Sequence, residues 1–183
     1  MTQLLYQLNS YLKEFEATIQ GQDLENHAVI LDQTAFYPGG GGQPYDTGIL
    51  KAGETAYSVI RLKKVNNQIL HFIHPEQNLP DVGSQVSGIL DWERRHQLMR
   101  THTALHILCG VVFRDYGAQV TGGDMEPLQG RMDFEFESMH KELVETIQEA
   151  VNQEIAAARP VEVRILPRQE AFEIPDLIRT KIN

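Results

Sequence analysis

The order of apolar and polar positions divides the chain into a strand-rich first half and a mixed second half. Short apolar or alternating runs occupy residues 28–32, 58–65, 68–74 and 85–92, and one more strand is expected at 15–19. Asn66 and Asn67 separate two of these runs and suit a tight hairpin turn, because asparagine tolerates a positive φ. Several short strands with closely spaced turns predict a small β-barrel or sandwich over residues 1–90.

After Trp92 the apolar period changes to that of a helix. Leu98, Leu105 and Val112 fall at helical spacing, which predicts a long helix over residues 93–116 that ends at Gly117. The pattern then predicts a strand at 131–137, a helix from 138 to 158, a strand at 160–166, and short helical pieces at 169–172 and 175–181. Residues 91–183 therefore form a second, helix–strand–helix–strand domain, and the fold class is α+β.

Composition narrows the class of protein. The chain has 183 residues, of which 42% are apolar, enough for the core of one large domain or two small ones. It contains no apolar run of the ~18–20 residues needed to cross a bilayer, and residues 1–13 do not resemble a signal peptide. The single cysteine, Cys109, excludes an internal disulfide framework. We expect a cytoplasmic protein with no membrane partner.

The charge balance argues against wrapping of nucleic acid by the whole surface. The formal net charge is −9, whereas a protein that binds nucleic acid non-specifically usually carries a basic excess. A local basic patch is compatible with this charge, and Arg94, Arg95 and Arg100 are the candidates. The alternative is that these arginines are an ordinary solvated face.

The first candidate chemistry is the pair His102 and His106. Residues at i and i+4 lie on one helix face, about 6 Å apart, so both imidazoles can converge on one ion, and zinc favours such nitrogen ligands. Two histidines at this spacing are also common as plain surface or core residues. The metalloprotease pattern is absent, because Thr103 stands where that pattern has glutamate.

The second candidate is the glycine run Gly39–Gly42, followed by Gln43. Consecutive glycines let a backbone approach a ligand closely and present N–H groups to it. No Gly-Lys-Ser/Thr follows, so this is not a P-loop, and no helix follows as in a dinucleotide fingerprint. The run is equally compatible with a flexible hairpin tip. Gly122 and Gly123, after the histidine helix, form either a turn or the lining of a pocket.

Four segments in fixed order resemble one family: TAFYPGGGGQP (34–44), RTHTALH (100–106), VTGG (120–123) and RMDFEF (131–136). They resemble the editing domain of alanyl-tRNA synthetase and its free-standing AlaX-type relatives, particularly the medium-length form with an N-terminal glycine-rich barrel. The resemblance covers nearly the whole chain from Val29. It implies a small β-barrel followed by an α/β two-layer sandwich similar to the second domain of threonyl-tRNA synthetase.

The resemblance also implies a function. Such proteins act in trans and hydrolyse the ester that links serine, and sometimes glycine, to tRNA specific for alanine. By motif match, His102 and His106 are zinc ligands, and Thr34 and Gln43 are catalytic-pocket residues, with the Thr34 hydroxyl helping to select serine. Gly40, Gly41 and Gly42, together with Gly122 and Gly123, are the matching substrate-binding positions.

One part of the family pattern is missing from the sequence. The family supplies its remaining zinc ligands from a later segment with cysteine and histidine, and no such segment occurs before Asn183, so we expect a truncated or naturally short member. Cys109, on the same straight helix as the pair, is expected to be a buried small apolar residue rather than a ligand. The spacing of the other histidines does not single out a donor among His71, His74, His96 and His140.

Two other functions remain open from the sequence. One is an unrelated metal-dependent hydrolase of small esters or amides, which would act without tRNA. The other is an inactive or truncated editing-like module that binds tRNA, which would hold no metal and show no deacylation. The oligomeric state is not indicated by the sequence.

Overall fold

The computed structural model describes residues 2–175, and it divides into two compact units. Among these residues, the first unit comprises residues 2–99 with Glu126–Leu128, and the second comprises residues 100–125 and 129–175. The elements in chain order are β1 (Gln3–Leu4), β2 (Glu14–Asp23), β3 (Ala28–Leu31), β4 (Gln33–Thr34), β5 (Gly48–Ala52), β6 (Thr55–Val65), β7 (Gln68–Ile73), β8 (Gln85–Leu90), α1 (Trp92–Tyr116), β9 (Val120–Glu126), β10 (Gln129–Phe134), α2 (Lys141–Ala156) and α3 (Arg168–Phe172).

Six strands of the first unit close into an antiparallel barrel. Their order is β2-β3-β7-β6-β5-β8, and β8 pairs with β2 to complete the ring. Alternate side chains of β2 (Phe15, Ala17 and Ile19) are buried, because successive residues of a strand point to opposite faces and one face fills the barrel. The predicted small barrel is therefore confirmed.

Two barrel glycines are required by close packing. A Cβ on Gly88 would lie 2.3 Å from the ring of Phe15, and a Cβ on Gly48 would lie 2.2 Å from the carbonyl oxygen of Ile89. The missing side chains leave room for Phe15 and Phe36, whose rings pack edge to face with centroids 5.5 Å apart. The absence of side chains at Gly48 and Gly88 thus allows the two phenylalanine rings to fill the barrel core.

The β6–β7 hairpin confirms the asparagine turn. Asn66 and Asn67 both have positive φ, 46° and 64°, and the strands on either side pair from Val65 and Gln68. Positive φ at both central residues is the conformation that matches the twist of a two-residue hairpin.

The second unit packs helices against a two-stranded sheet of β9 and β10. Its core contains Val112, Ala118 and Ile147, with Leu108, Phe134, Phe136, Leu143 and Val151 packed against them. The long helix α1 ends as predicted: Gly117 has φ 66°, and its N–H donates to the Phe113 carbonyl over 2.9 Å. The two compact units divide after Met99, inside α1. The predicted domain boundary at residue 90 stays a prediction.

Two details of the second half differ from the prediction, and a third falls mostly outside the described residues. The helix predicted from 138 begins at Lys141, where the ring of His140 caps it by accepting the Leu143 N–H. The strand predicted at 160–166 is wrong: these residues form no strand, and Val161 is 80% exposed. Alternation marks a face that favours burial, but a strand also needs a neighbour to pair with. The helical piece predicted at 175–181 lies almost entirely outside the described residues.

Within the described residues the second unit contains helices and a two-stranded hairpin. The α+β class is confirmed, and the two-layer sandwich stays a prediction. Among residues 2–175, no helix is long and apolar enough to cross a membrane.

Candidate active site

The glycine loop, residues 37–46, ends in a hydrogen-bonded turn. All four glycines Gly39–Gly42 have positive φ, of 85°, 132°, 60° and 83°, which residues with a Cβ rarely adopt. Gly40 and Gln43 exchange backbone hydrogen bonds of 3.0 and 3.1 Å. Gly40, Gly41 and Gly42 are exposed, so the tip presents backbone rather than side chains to solvent.

Asp46 closes the base of this loop. Its N–H donates to the Tyr37 carbonyl over 3.0 Å, and its carboxylate accepts the Tyr37 N–H over 2.6 Å. The side chain is 1% exposed. At the other end of Tyr37, the phenol donates to the Gly40 carbonyl over 3.1 Å, which connects the base of the loop to its tip.

Arg95, near the start of α1, binds the same carboxylate from inside the protein. Its Nε lies 2.9 and 3.0 Å from the two oxygens of Asp46, and its Nη2 also contacts that carboxylate. The guanidinium further donates to the carbonyls of Ala35 (2.7 Å) and Ser10 (3.0 Å). Because Arg95 is only 3% exposed, the idea that it belongs to a basic surface patch is wrong.

Thr34 lies inside the barrel, not on an open pocket. It is fully buried, its hydroxyl accepts the Phe36 N–H over 3.1 Å, and its Oγ1 lies 2.9 Å from Nε2 of His71. The Nδ1 of His71 lies 3.3 Å from the Val29 carbonyl, which can only accept, so Nδ1 carries the hydrogen and the threonine hydroxyl donates to Nε2. Selection of serine by Thr34 stays a prediction. In this structure the Thr34 hydroxyl hydrogen-bonds to His71.

Burial of His71 makes the stability of the barrel depend on pH. Its pKa is lowered to about 4, because desolvation penalises the charged ring, while hydrogen bonds to the carbonyls of Val29 and Ile69 act in the opposite direction. The ordinary value is 6.5, so between pH 6.5 and 4 the unfolded state binds more protons, and stability falls as pH falls through this window.

The expected loss is about 3 kcal/mol between pH 7 and pH 4, since one pKa unit corresponds to about 1.36 kcal/mol. Urea unfolding of the wild type and of His71→Gln, at several pH values, measures it. The variant is expected to be less stable at pH 7 and to lose less stability on acidification. Parallel pH profiles for the two proteins would show that His71 is not the group responsible.

His102 and His106 converge as their spacing predicts. Their Nε2 atoms lie 3.0 Å apart, and the two rings are stacked with centroids 4.8 Å apart. The pKa of His102 is lowered, first by partial burial and then by the neighbouring His106 ring. Both effects favour neutral imidazole, which is the form that binds a metal.

The pair fits two positions of a zinc site. Two nitrogens at ~2.0–2.1 Å from a tetrahedral ion would lie about 3.4 Å apart, close to the observed separation. Within residues 2–175, however, no group of three or more histidine, cysteine, aspartate or glutamate side chains is gathered to hold a metal. Zinc binding by this pair therefore stays a prediction, with two candidate ligands among the described residues.

The four other histidines that were possible donors have different surroundings. His71 is buried in the barrel, His96 stacks on Trp92, and His140 caps α2. His74 accepts a hydrogen bond at its Nδ1 from the Glu76 N–H, at 3.5 Å. Cys109, expected to be buried, is half-buried.

Gly122 and Gly123 lie in strand β9, which rules out the turn that was one of the two alternatives for this segment. A Cβ on Gly123 would lie 2.8 Å from the Arg131 carbonyl oxygen of the paired strand. In the same hairpin, a Cβ on Gly130 would lie 3.1 Å from Leu105 and 3.2 Å from Thr101. The hairpin thus packs closely on the turns of α1 that carry the histidines. A role of Gly122 and Gly123 in substrate binding stays a prediction.

The predicted site residues fall into both units. Thr34, Gln43 and Gly40–Gly42 belong to the first, whereas the two histidines and Gly122–Gly123 belong to the second. Sequence reasoning missed Asp46 and His71 as parts of the loop's support. Asp46 lies two residues after the GGGGQP run, and this position could have indicated a role in supporting the loop. An aspartate beside glycines is also an ordinary turn residue, however.

Comparison with known proteins identifies the class. Residues 3–94 match the family of class II (A) tRNA synthetases. The chain is 38% identical over 173 residues to the alanine–tRNA ligase of Ignicoccus hospitalis, a match that covers 93% of this chain and 19% of that protein.

Free-standing editing proteins match over a larger share of their own length. The chain is 43% identical over 182 residues to the alanyl-tRNA editing protein AlaX-M of Saccharolobus solfataricus, covering 98% of this chain and 75% of that protein. It is 40% identical over 179 residues to AlaX-M of Methanosarcina mazei, covering 94% and 71%. The chain belongs to the AlaX-M family of alanyl-tRNA editing proteins, which confirms the resemblance seen in its motifs.

Proposed function

We propose that this protein is an aminoacyl-tRNA deacylase that acts in trans, in the cytoplasm, on mischarged tRNA specific for alanine. Membership of the AlaX-M family supports editing of aminoacyl-tRNA as the general activity. The active site is proposed to lie at His102 and His106, because their Nε2 atoms approach to 3.0 Å on one face of α1.

We further propose that these two imidazoles hold a zinc ion. Bound there, zinc would supply Lewis acidity, which polarises an ester carbonyl and makes a water molecule more acidic. An aminoacyl ester is already activated, so its hydrolysis needs little more than a positioned water and a polarised carbonyl. Zinc sites have at least three protein ligands as a rule. Among residues 2–175, no third histidine, cysteine, aspartate or glutamate side chain is gathered with this pair.

Serine is the amino acid that we expect to be removed, with glycine as a second candidate. A pocket that hydrogen-bonds the serine hydroxyl rejects alanine, because its buried polar groups then stay unpaired. Gln43 and the exposed backbone of Gly40–Gly42 are the candidates in the first unit that reach solvent. Thr34 would act on this selection through the loop, since its hydroxyl binds the Phe36 N–H at the loop's entrance. The similarity of the second unit to the second domain of threonyl-tRNA synthetase also remains an expectation.

Deacylation of serine-charged alanine tRNA by the 183-residue chain, with and without added zinc, tests the proposal. We expect hydrolysis of the charged tRNA that zinc stimulates and a chelator suppresses, and no hydrolysis of a free serine ester. Alanine-charged tRNA serves as the matched substrate and should be cleaved far more slowly.

The two competing functions predict different results. Cleavage of the free ester at a similar rate would indicate a hydrolase of small esters. Binding of tRNA without any cleavage, with or without zinc, would indicate an inactive editing-like module, which the two-ligand site favours as the second candidate.

A further inference from the structure

The glycine loop is firmly held at its base and open at its tip. Asp46 bonds to Tyr37 through both its backbone and its side chain, and both Asp46 and Arg95 are almost completely buried. At the tip, a Cβ added to Gly41 would meet no atom within 4 Å. A surface turn does not require a buried ion pair at its base, so this arrangement suggests a loop whose orientation matters.

Arg95 joins three separate segments of the first unit. Its guanidinium contacts the Asp46 carboxylate after the loop, the Ala35 carbonyl before it, and the Ser10 carbonyl of the N-terminal segment. A planar guanidinium with five N–H donors can serve these acceptors together, whereas a lysine ammonium on its flexible stem is a point charge without that fork. The geometry of both ends of the loop therefore depends on arginine, not only on a positive charge.

The entrance of the loop has a second buried support. The Phe36 N–H donates to Thr34, which in turn donates to His71, and the Phe36 ring packs edge to face on the His71 ring at 5.8 Å. Ala35, between Thr34 and Phe36, is the residue whose carbonyl Arg95 binds. The entrance of the loop is therefore fixed without Arg95. What Arg95 adds is a link between the two ends of the loop, which sets their position relative to each other.

We propose that Arg95 is a positioning residue of the editing reaction, which holds the two ends of the glycine loop so that the tip, Gly40–Gly42, meets the aminoacyl end of the tRNA in one orientation. This rests on the proposed function. It assigns a role in substrate handling to a side chain that is itself buried and does not touch the substrate.

A double-mutant cycle tests whether Arg95 acts through the loop. Arg95→Lys keeps the charge but loses the fork, and Gly41→Ala disturbs the tip alone. We expect each to lower kcat/KM for serine-charged tRNA by about 10- to 100-fold, mainly through KM, because misplacement of a binding group has effects of this size. The double variant should be little worse than the more affected single variant, since two changes that act on one element are not additive.

Gly53→Ala is the matched control. Gly53 lies in the turn between β5 and β6, has φ 56° against 60° for Gly41, and likewise has nothing within 4 Å of an added Cβ. Gly53→Ala imposes the same backbone strain elsewhere in the barrel. It should leave the KM of the wild type unchanged, and it should not change the KM of Arg95→Lys when the two are combined. Additive effects of Arg95→Lys and Gly41→Ala, or a fall in kcat with KM unchanged, would overturn the proposal.

Amide hydrogen exchange gives a measurement that does not depend on activity. In Arg95→Lys, the amides of Tyr37 and Asp46 should exchange at least about tenfold faster, whereas amides of the paired strands β3 and β7 should keep their rates. Unchanged loop amides, or a uniform increase across the barrel, would contradict a positioning role. If the wild type hydrolyses no charged tRNA, the proposed function fails, and the exchange data still decide whether Arg95 holds the loop.

Discussion

Replacement of His102 by alanine is expected to remove both zinc binding and deacylation. The Nε2 atoms of His102 and His106 lie 3.0 Å apart, and the lost imidazole would leave only one of the two nitrogens that converge. Loss of a residue that merely supports a ligand typically costs 10–100-fold in metal affinity or activity, so loss of a ligand itself should cost at least about 100-fold. The fold should be retained, because neither ring belongs to the core of the second unit.

Zinc per chain by elemental analysis and the rate of deacylation of serine-charged tRNA are the two measurements. His140→Ala is the control: His140 is also in the second unit, but its ring caps α2 instead of facing the pair. It should lower helix stability slightly and leave zinc content unchanged. A His102→Ala protein that keeps its zinc would place the metal elsewhere, and one that loses zinc but keeps its activity would separate the metal from the reaction.

The features predicted best from the sequence depend on short-range geometry. Helical spacing alone placed His102 and His106 on one face of α1, and the chain's alternating runs predicted most strands of the barrel. The sequence also predicts the β6–β7 turn and the end of α1, since Asn66, Asn67 and Gly117 adopt the positive φ that this turn and this helix cap need. Each of these predictions uses the period of a single element or the conformational freedom of one or two residues.

The features missed depend on contacts between distant parts of the chain. Asp46 and Arg95 are 49 residues apart, and Thr34 and His71 are 37 apart. Spacing along the sequence does not indicate which side chains become buried partners. For the same reason the sequence groups Arg95 with its surface neighbours and does not indicate that the buried Thr34 hydroxyl binds His71.

The strand predicted at 160–166 is wrong for a related reason, because a local pattern does not show whether a pairing partner is present. Val161, Val163 and Ile165 alternate with polar residues, as in a half-buried strand, yet all three are more than 70% exposed. Local pattern specifies which face should be buried, but pairing needs an adjacent strand edge, and none of the described strands pairs with this segment. A prediction from periodicity is therefore strongest where the partner is also close in sequence, as in β6 and β7.

Removal of the Asp46 side chain is expected to cause the largest loss of stability among the residues around the loop. Asp46→Ala would leave the Arg95 guanidinium, 3% exposed, without its counter-ion, and the Tyr37 N–H without the acceptor it now has at 2.6 Å. Breaking a buried pair in this way costs about 3–5 kcal/mol, a large share of the roughly 5–15 kcal/mol that stabilises a typical domain. Asp46→Asn should cost less, because an amide oxygen can still accept from Tyr37.

Urea unfolding at pH 7 measures this loss, with Asp115→Ala as the control. Asp115 also pairs with an arginine, Arg114, at 2.6 Å, but both side chains are exposed, so its removal should change stability little. Combining Asp46→Ala with Arg95→Met should recover part of the loss, since the uncompensated charge is then gone and an apolar side chain fills its place. If Asp46→Ala is no more destabilising than Asp115→Ala, the cost lies in neither the buried charge nor the orphaned N–H, and the loop is held by its backbone contacts alone.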